Sequence, residues 1–246
     1  MKVVFLTATR RRPHDAYIAA MEASIPVLNA AGVEHKLIPH TGCPYIAYAQ
    51  ADMLHKAMAT DADTFMYIED DESWAPGDIL KVLETKGDVV AGTYRFKHLD
   101  DHEEYMGAWH CDKEHRAILR AGDRAIKAHM VPTGFLKITR EAVRKFMRAY
   151  PKLIFGDPIN PAVDMFQHGA VFDDWRWWGQ DYAFCKRWAD IKGEIWLVPN
   201  LSINHHDWHS ERVWRGNLHE FLMRAPGGVN APPPGAVVPI QFREVA

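Results

Sequence analysis

The sequence predicts an α/β protein with a mainly parallel β-sheet covered by helices on both faces. Short apolar runs alternate with segments of helical period through the first 91 residues. One run, residues 64–68 (TFMYI), is apolar almost throughout, which is typical of a strand buried on both faces. Strands that alternate with helices usually pair in parallel, and three layers, α/β/α, follow from that order.

Local signals place the elements along the chain. The predicted strands cover residues 2–7, 33–38, 64–68, 88–91, 129–131, 134–138 and 194–198. The predicted helices are a first helix through Tyr17 and Leu28 that ends at Gly32, then residues 46–58, 76–83, a helix N-capped by Thr139, and residues 181–191.

The length of 246 residues, with 48% apolar residues, suits one large domain. We expect it to span residues 1–224, with a nucleotide-binding half at 1–93 and a second half at 94–224. Two stretches lack a clear period and are expected to be long loops, residues 94–127 and 151–178. Residues 225–246 are rich in Pro and Gly and predict an extended tail.

Charge and cysteine content narrow the class of protein. A net charge of −3 gives no overall attraction to a polyanion, although local basic patches are compatible with it. Cys43, Cys111 and Cys185 are odd in number and have no metal-ligand spacing, which favours a reducing compartment. No apolar stretch reaches membrane-spanning length, so we expect a cytoplasmic protein. The oligomeric state is left open.

Three adjacent carboxylates, Glu69, Asp70 and Asp71, follow the apolar run at 64–68 directly. The carboxyl ends of parallel strands form the edge at which open α/β sheets bind ligands. Carboxylates crowded into a cleft repel one another unless a cation neutralises them, and hard oxygen ligands suit Mg²⁺ or Mn²⁺. A solvated acidic turn is the alternative interpretation of the same triplet.

The segment YIEDDESWAPGDI (residues 67–79) resembles the acidic strand end of GT-A-type glycosyltransferases, which holds the metal that bridges the donor diphosphate. The resemblance implies a GT-A-like three-layer fold with a Rossmann-like nucleotide-binding half. It also implies that Asp71 and Glu69 ligate Mn²⁺ or Mg²⁺ and that Asp70 contacts the nucleotide. Whether Glu69 or Asp70 turns toward the nucleotide is left open.

Three later segments resemble the same family in the family's order. In VPTGFLKITREAV (131–143), Gly134 matches a turn that lines the donor sugar. In WWGQDYAFCKRWADIKGEIWLVP (177–199), Asp181 matches the catalytic carboxylate at the start of a helix. In NHHDWH (204–209), His205 matches the histidine that completes the metal shell, with His206 and His209 as rivals. The ending WRGNL (214–218) is similar to that of small bacterial and phage enzymes.

The nucleotide is expected at the end of the first strand, where Thr7, Thr9 and Arg10 are candidate contacts. Arg11 and Arg12 fit a solvated basic turn. Gln50 occupies the place where the family often has the asparagine of an Arg-Asn pair.

The resemblance implies a metal-dependent hexosyltransferase that uses a nucleotide-sugar donor, with a UDP-sugar favoured. Inversion of the anomeric centre, with Asp181 as base, is favoured over retention, which the sequence leaves open. The acceptor is open among a glycan, a small molecule and a modified base in phage DNA. For DNA, the phosphates would meet the cations of the 94–127 segment, namely Arg95, Lys97, Arg116, Arg120, Arg124 and Lys127. The alternatives are a non-catalytic nucleotide or sugar binder and a metal-dependent nucleotidyltransferase or hydrolase.

Overall fold

A computed structural model describes residues 1–100, 102–113 and 115–224, so the predicted tail at 225–246 lies outside the described residues. The strands are β1 (Lys2–Thr9), β2 (Glu34–Thr41), β3 (Thr64–Ile68), β4 (Glu72–Ser73), β5 (Val89–Ala91), β6 (Ala108–Trp109), β7 (Ile126–Met130), β8 (Phe135–Thr139), β9 (Ile154–Gly156), β10 (Pro161–Val163), β11 (Ile195–Leu197), β12 (Asn204–His206) and β13 (Val213–Arg215). The helices are α1 (Asp15–Ala30), α2 (Ile46–Met58), α3 (Asp78–Glu84), α4 (Arg140–Ala149), α5 (Gln180–Asp190) and α6 (Leu218–Arg224).

Eight strands form the central sheet in the order β2-β1-β3-β8-β5-β11-β7-β6. The pairs β1–β2, β1–β3 and β5–β11 are parallel, whereas β8 and β7 run antiparallel to both of their neighbours. Six of the eight strands therefore point the same way, and the predicted mainly parallel sheet is confirmed. Strand β7 alternates apolar and polar residues, which is common in antiparallel strands. Strand β8 is buried over four of its five residues, like the parallel strands, so its reversed direction is not visible in its sequence.

Helices pack on both faces of the sheet, as predicted. Alternate residues of β1 face opposite sides: Val4 and Leu6 join the core cluster that includes α2, α4 and α5, whereas Val3 and Phe5 join the cluster of α1 and α3. The three-layer arrangement follows from these two apolar faces.

The cap of α4 is confirmed, because the Thr139 hydroxyl accepts a hydrogen bond from the backbone N–H of Ala142. The predicted start of α3 at Pro76 is wrong by two residues. Asp78 begins the helix; its buried carboxylate accepts from the backbone N–H of Ala75 and of Ser202, which holds the preceding turn outside the helix.

The two stretches expected to be loops carry short strands as well. Strands β9 and β10 form an antiparallel hairpin within 151–178, and β6 pairs with β7 at the edge of the main sheet. A three-residue strand is too short to show a period, which explains why the pattern missed them.

Two features of the topology gather polar residues at one edge of the sheet. The carboxyl ends of β1, β3 and β5 meet there together with the amino end of the reversed strand β8. A separate small sheet, β13-β12-β4, pairs β12 with β4 in the register Asn204↔Ser73 and His205↔Glu72. The late histidine segment therefore lies beside the acidic end of β3.

Among the described residues, no helix is long and apolar enough to cross a membrane.

A buried lysine lies in the middle of strand β8. The ammonium group of Lys137 donates to the carbonyl oxygens of Leu83 (3.2 Å) and Thr85 (2.6 Å), at the carboxyl end of α3. The orphan carbonyls and the helix dipole favour a cation at that place. Burial nevertheless lowers the pKa of Lys137 to about 8.

We predict that this lysine makes stability rise with pH between about 8 and 10. The unfolded chain, with a lysine pKa of about 10.4, binds more protons than the folded chain in that window, so deprotonation favours folding. Relative to Lys137→Met, the wild-type free energy of unfolding should rise by about 2 kcal/mol over this range. Urea unfolding at several pH values measures the free energy of unfolding. Lys127→Met, which removes an exposed lysine, is the control. The same pH dependence of the unfolding free energy in wild type and Lys137→Met would contradict the prediction.

Candidate active site

The acidic turn after β3 is held by backbone bonds to three other segments. The N–H of Glu69 donates to the carbonyl of Gly134 (2.9 Å), at the start of β8. The carbonyl of Asp70 accepts from the N–H of His14 (2.8 Å), and that of Asp71 from the N–H of His206 (2.8 Å). Each acid therefore has a fixed backbone, which sets the direction of its side chain.

Glu69, Asp71 and His205 form a cluster with the spacing of a metal site. One ligand atom from each lies within 4.8 Å of the others, and the described residues contain one such group. The side chains of Asp71 and His205 are only 15% and 12% exposed, and His205 Nε2 lies 3.6 Å from Asp71 Oδ1. The structure thus brings together the three residues for which the sequence predicted metal binding.

The tautomer of His205 follows from its hydrogen bond. Its Nδ1 lies 3.0 Å from the carbonyl oxygen of Arg95, and a carbonyl only accepts, so Nδ1 carries the proton. The lone pair of Nε2 then faces Asp71, and burial lowers the pKa of His205, which favours the neutral ring. A metal-ligating histidine commonly has this arrangement, with its second nitrogen donating to a carbonyl.

The other two candidate histidines are engaged elsewhere. His206 Nε2 lies 2.8 Å from Ser73 Oγ, and its ring stacks on His14 at 4.8 Å between centroids. His209 is exposed, and its N–H donates to Asp207. Of the three histidines, His205 is the one whose ring nitrogen lies together with the carboxylates of Glu69 and Asp71.

The carboxyl groups of the cluster are crowded. Burial, followed by the charges of Asp181 and Asp71, raises the pKa of Glu69 to about 8, and the Tyr94 hydroxyl donates to Glu69 Oε2 at 2.8 Å. Glu72 is fully buried, and neither of its carboxylate oxygens makes a hydrogen bond of ordinary geometry to another described residue. Burial raises the pKa of Glu72 well above the usual range, an effect that the nearby Tyr94 hydroxyl opposes. An unpartnered carboxyl beneath two further acids is an environment that a cation stabilises.

The donor set fits a hard or borderline divalent cation. Two carboxylates and one imidazole suit Mn²⁺, and oxygen-rich surroundings suit Mg²⁺. Lys97, from the segment after β5, places its Nζ 2.5 Å from Asp71 Oδ2 and supplies a positive charge at the same carboxylate. Lys97 is one of the cations expected to contact phosphates if the acceptor is DNA, and in the structure its ammonium group contacts Asp71.

Gly134 is packed directly against the acids. A Cβ at this position would lie 2.7 Å from Glu69 Oε2 and closer still to Glu72 Oε1 and the Tyr94 hydroxyl. Real Cβ atoms essentially never approach other atoms this closely. The close packing of Glu69, Glu72 and Tyr94 around this position therefore favours glycine. This packing reason is independent of any contact between Gly134 and a donor sugar.

Asp181 lies in the first turn of α5, where the helix dipole favours a carboxylate. Its Oδ1 accepts a hydrogen bond from the Thr133 hydroxyl at 2.9 Å, and burial raises the pKa of Asp181 to about 6. The charge of Asp181 contributes to the raised pKa of Glu69, which puts the two carboxyls in one electrostatic environment.

The predicted nucleotide contacts fall into two groups. Thr9 ends β1 and Arg10 follows it; the buried Thr9 hydroxyl lies close enough to Asp70 to lower the pKa of that carboxyl, and Arg10 is exposed. Asp70 is half-buried, which raises the pKa of its carboxyl. Thr7 and Gln50 lie inside the protein: Thr7 Oγ1 is 2.6 Å from the Tyr17 hydroxyl, and Gln50 Nε2 donates to Thr133 Oγ1 at 3.1 Å.

Sequence reasoning missed Glu72, Tyr94 and Thr133. Glu72 continues the acidic run and Thr133 precedes Gly134, so position along the chain was the available signal. Neither signal shows that Glu72 is buried without a partner or that Thr133 contacts Asp181, since both depend on packing between distant segments.

No protein-family model and no curated protein matches the chain. Among solved structures, A197 from STIV is similar with a TM-score of 0.50 and 18% identity, over 88% of this chain and 95% of that one. A Drosophila β1,4-galactosyltransferase 7 variant in complex with manganese, UDP-Gal and xylobiose has a TM-score of 0.46 and 12% identity, over 92% of this chain and 74% of that one. An inositol-1-phosphate CTP transferase from T. maritima has a TM-score of 0.41 and 11% identity, over 93% of this chain and 98% of that one.

The solved structures similar to this chain include a galactosyltransferase, and the chain has the α/β fold with a mainly parallel central sheet that the sequence predicts. At these identities the likeness concerns the fold alone.

We predict that Gly134→Ala destabilises the fold by about 1–3 kcal/mol, because the added methyl must displace Glu72, Tyr94 or the strand itself. Urea unfolding measures the change. Gly77→Ala is the matched control, since Gly77 has helical dihedrals and open space around its Cβ position. Equal stability of the two variants would mean that the acidic turn can move away from β8.

Proposed function

We propose that the protein is a divalent-metal-dependent glycosyltransferase that moves a sugar from a nucleoside-diphosphate sugar, most simply a UDP-sugar, to an acceptor hydroxyl. The observation that carries the proposal is the cluster of Glu69, Asp71 and His205 at the carboxyl edge of the sheet. This edge is where α/β sheets bind nucleotides, and the cluster provides the ligands of a phosphate-bridging cation there.

The roles of the cluster follow from its contacts. When bound, Mn²⁺ or Mg²⁺ supplies Lewis-acid stabilisation of the departing diphosphate. Asp71, Glu69 and His205 Nε2 would hold the ion, and the Arg95 carbonyl fixes the His205 ring through Nδ1. Tyr94 orients Glu69 through its hydroxyl, while Thr9 and Arg10 lie at the end of β1 for contacts with the nucleotide.

Asp181 is the proposed general base. With a pKa of about 6, its carboxylate is mostly ionised at neutral pH and yet basic enough to accept the proton of an acceptor hydroxyl. Direct attack by that hydroxyl on the sugar would invert the anomeric centre. The hydrogen bond from Thr133 engages Oδ1 and orients the carboxylate.

The charge distribution supports an uncharged acceptor, a glycan or a small hydroxylated molecule, over DNA. Arg116, Arg120 and Lys127 pair with the nearby carboxylates of Asp112, Asp123 and Glu194. Lys97 pairs with Asp71 inside the acidic cluster. A polyanion would meet the acidic edge of the sheet with unfavourable charge, so transfer to DNA is expected to be absent.

The first test concerns the cation. UDP should bind roughly 10- to 100-fold more weakly with chelator than with Mn²⁺, and Asp71→Asn should abolish the difference, because the acids otherwise repel the diphosphate. Isothermal titration calorimetry measures both. Asp61→Asn, an exposed acid paired with Lys2, is the matched control. Equal UDP affinity with and without chelator would contradict a metal bridge.

Lys97→Met sharpens this test. Its ammonium group contacts the carboxylate that would bind the ion, so its removal should strengthen Mn²⁺ binding in the absence of nucleotide. Asp71→Asn should have the opposite effect on the same titration. A variant at Lys97 that binds Mn²⁺ more weakly would show that Lys97 organises the cluster and does not compete with the cation.

The second test concerns Asp181→Asn, which keeps the shape but cannot take a proton. Donor and Mn²⁺ affinity should be nearly unchanged, whereas the transfer rate should fall on the order of a hundredfold or more. The wild-type rate should rise with pH through about 6, as the base ionises, and then level off.

Mass analysis of the products measures transfer and separates it from hydrolysis or nucleotidyl transfer. Asp190→Asn, at the exposed end of the same helix, is the control. A near wild-type rate for Asp181→Asn would give the base role to another residue, and a donor that is bound but never turned over would indicate a non-catalytic binder.

A further inference from the structure

A buried hydrogen-bonded chain links helix α2 to the proposed base. Gln50 Nε2 donates to Thr133 Oγ1 at 3.1 Å, and Thr133 Oγ1 donates to Asp181 Oδ1 at 2.9 Å. The side chains come from three segments far apart in sequence, and Gln50 and Thr133 are only 4% and 1% exposed. The chain of bonds is therefore shielded from competing water.

The direction of this chain is fixed by its chemistry. An amide NH₂ group only donates, so Gln50 uses a lone pair of the Thr133 oxygen and leaves the single hydroxyl hydrogen for another acceptor. An ionised carboxylate only accepts, and a hydroxyl donating to it forms one of the stronger, charge-assisted hydrogen bonds. The hydroxyl group of Thr133 is therefore fixed in one orientation, in which its hydrogen points toward Asp181.

The burial of Gln50 is unfavourable for stability. Its side-chain oxygen, Oε1, is buried and accepts no hydrogen bond from any residue that the structure describes. An apolar side chain of similar size would avoid that unsatisfied oxygen. Local violations of this kind are expected where a residue serves a function and not the fold.

We propose that Thr133, held by Gln50, is the positioning residue of the proposed base and keeps the Asp181 carboxylate in one orientation for proton transfer. The inference rests on the proposed function of Asp181. A carboxylate that could rotate freely would present a proton acceptor at the acceptor hydroxyl only part of the time. Neither Gln50 nor Thr133 needs to touch the substrates for this role.

The electrostatic neighbours of Asp181 act in other ways. Its charge interacts with Glu69 at the end of β3 and with Tyr94 after β5, and along its own helix with Tyr182 and Cys185. Burial disfavours the ionised form of Asp181, whereas hydrogen bonds from the hydroxyl and backbone of Thr133 and from the backbone of Asp181 itself favour it. The hydrogen bond from the hydroxyl of Thr133 is the side-chain contact that both favours the ionised form of Asp181 and orients its carboxylate.

The test is a comparison of Thr133→Val, which has the same shape without the hydroxyl, with Thr133→Ser, which restores it. Thr133→Val should lower the transfer kcat roughly 10- to 100-fold with little change in donor KM, because the base is misplaced and not lost. The acid limb of its pH profile should move to higher pH, since the ionised carboxylate loses a donor. Thr133→Ser should recover both rate and limb.

Gln50→Met provides a second variant that leaves Thr133 in place. It should fold at least as stably as wild type in urea and yet transfer sugar several-fold more slowly, because the hydroxyl is free to rotate. Thr85→Val, a buried threonine bonded to Lys81 on α3, is the control for loss of a buried hydroxyl. If Thr133→Val, Gln50→Met and Thr85→Val all lose transfer rate in proportion to their loss of stability, the proposal is overturned.

A double-mutant cycle separates positioning from a structural role. Thr133→Val should have almost no further effect on kcat in an Asp181→Asn background, since both changes disable the same group. Additive effects would overturn the proposal.

If the wild-type protein transfers no sugar at all, the proposed function fails. The contact between Thr133 and Asp181 is then tested without an activity assay. The pKa of the Asp181 carboxyl, followed by ¹³C NMR, should then still rise in Thr133→Val and return in Thr133→Ser. An unchanged pKa would show that Thr133 does not hold the carboxylate.

Discussion

Repulsion between carboxylates at the end of β3 is the constraint on which the rest of the site depends. Glu69, Asp71 and the buried Glu72 follow one another within four residues, and Asp181 adds its charge from α5. Such a cluster is stable only where protons, cations or hydrogen-bond donors offset the charge. The surrounding residues are arranged accordingly: a phenol donates to one acid, an ammonium group contacts another, and an imidazole faces it from the opposite side.

The mixed sheet explains how so many polar groups reach one edge. Parallel strands β1, β3 and β5 bring their last residues to this edge, whereas the reversed strand β8 brings its first. Gly134 therefore lies just before a strand and still contacts Glu69 at the end of the neighbouring strand, while Thr133 beside it bonds to Asp181 on α5. An all-parallel sheet would place the start of that strand at the opposite edge.

Two carboxyls in this site have environments that separate their chemistry. Glu69, beside Asp71 and Asp181, has a pKa raised to about 8, whereas Asp181, with a hydroxyl donor and the start of a helix, has a pKa of about 6. Neighbouring acids with separated pKa values commonly have different roles. Without a cation, Glu69 therefore holds its proton to higher pH than Asp181 does.

The sequence by itself determined the elements and the placement of the acids. The periods of apolar residues located most strands and helices, Thr139 was recognisable as an N-cap, and the acidic run followed a buried strand at the ligand-binding edge, because these features depend on residues close together in the chain. The resemblance to GT-A enzymes added the choice of Asp181 and His205.

Tertiary structure alone decided the direction of β7 and β8, the placement of His205 beside Glu69 and Asp71, and the burial of Glu72, Thr7 and Gln50. Each of these is set by strand register or by packing between segments tens of residues apart. A local pattern carries no information on which distant backbone will pair with it, so the contacts that hold the acids and orient the base emerged only in the folded chain.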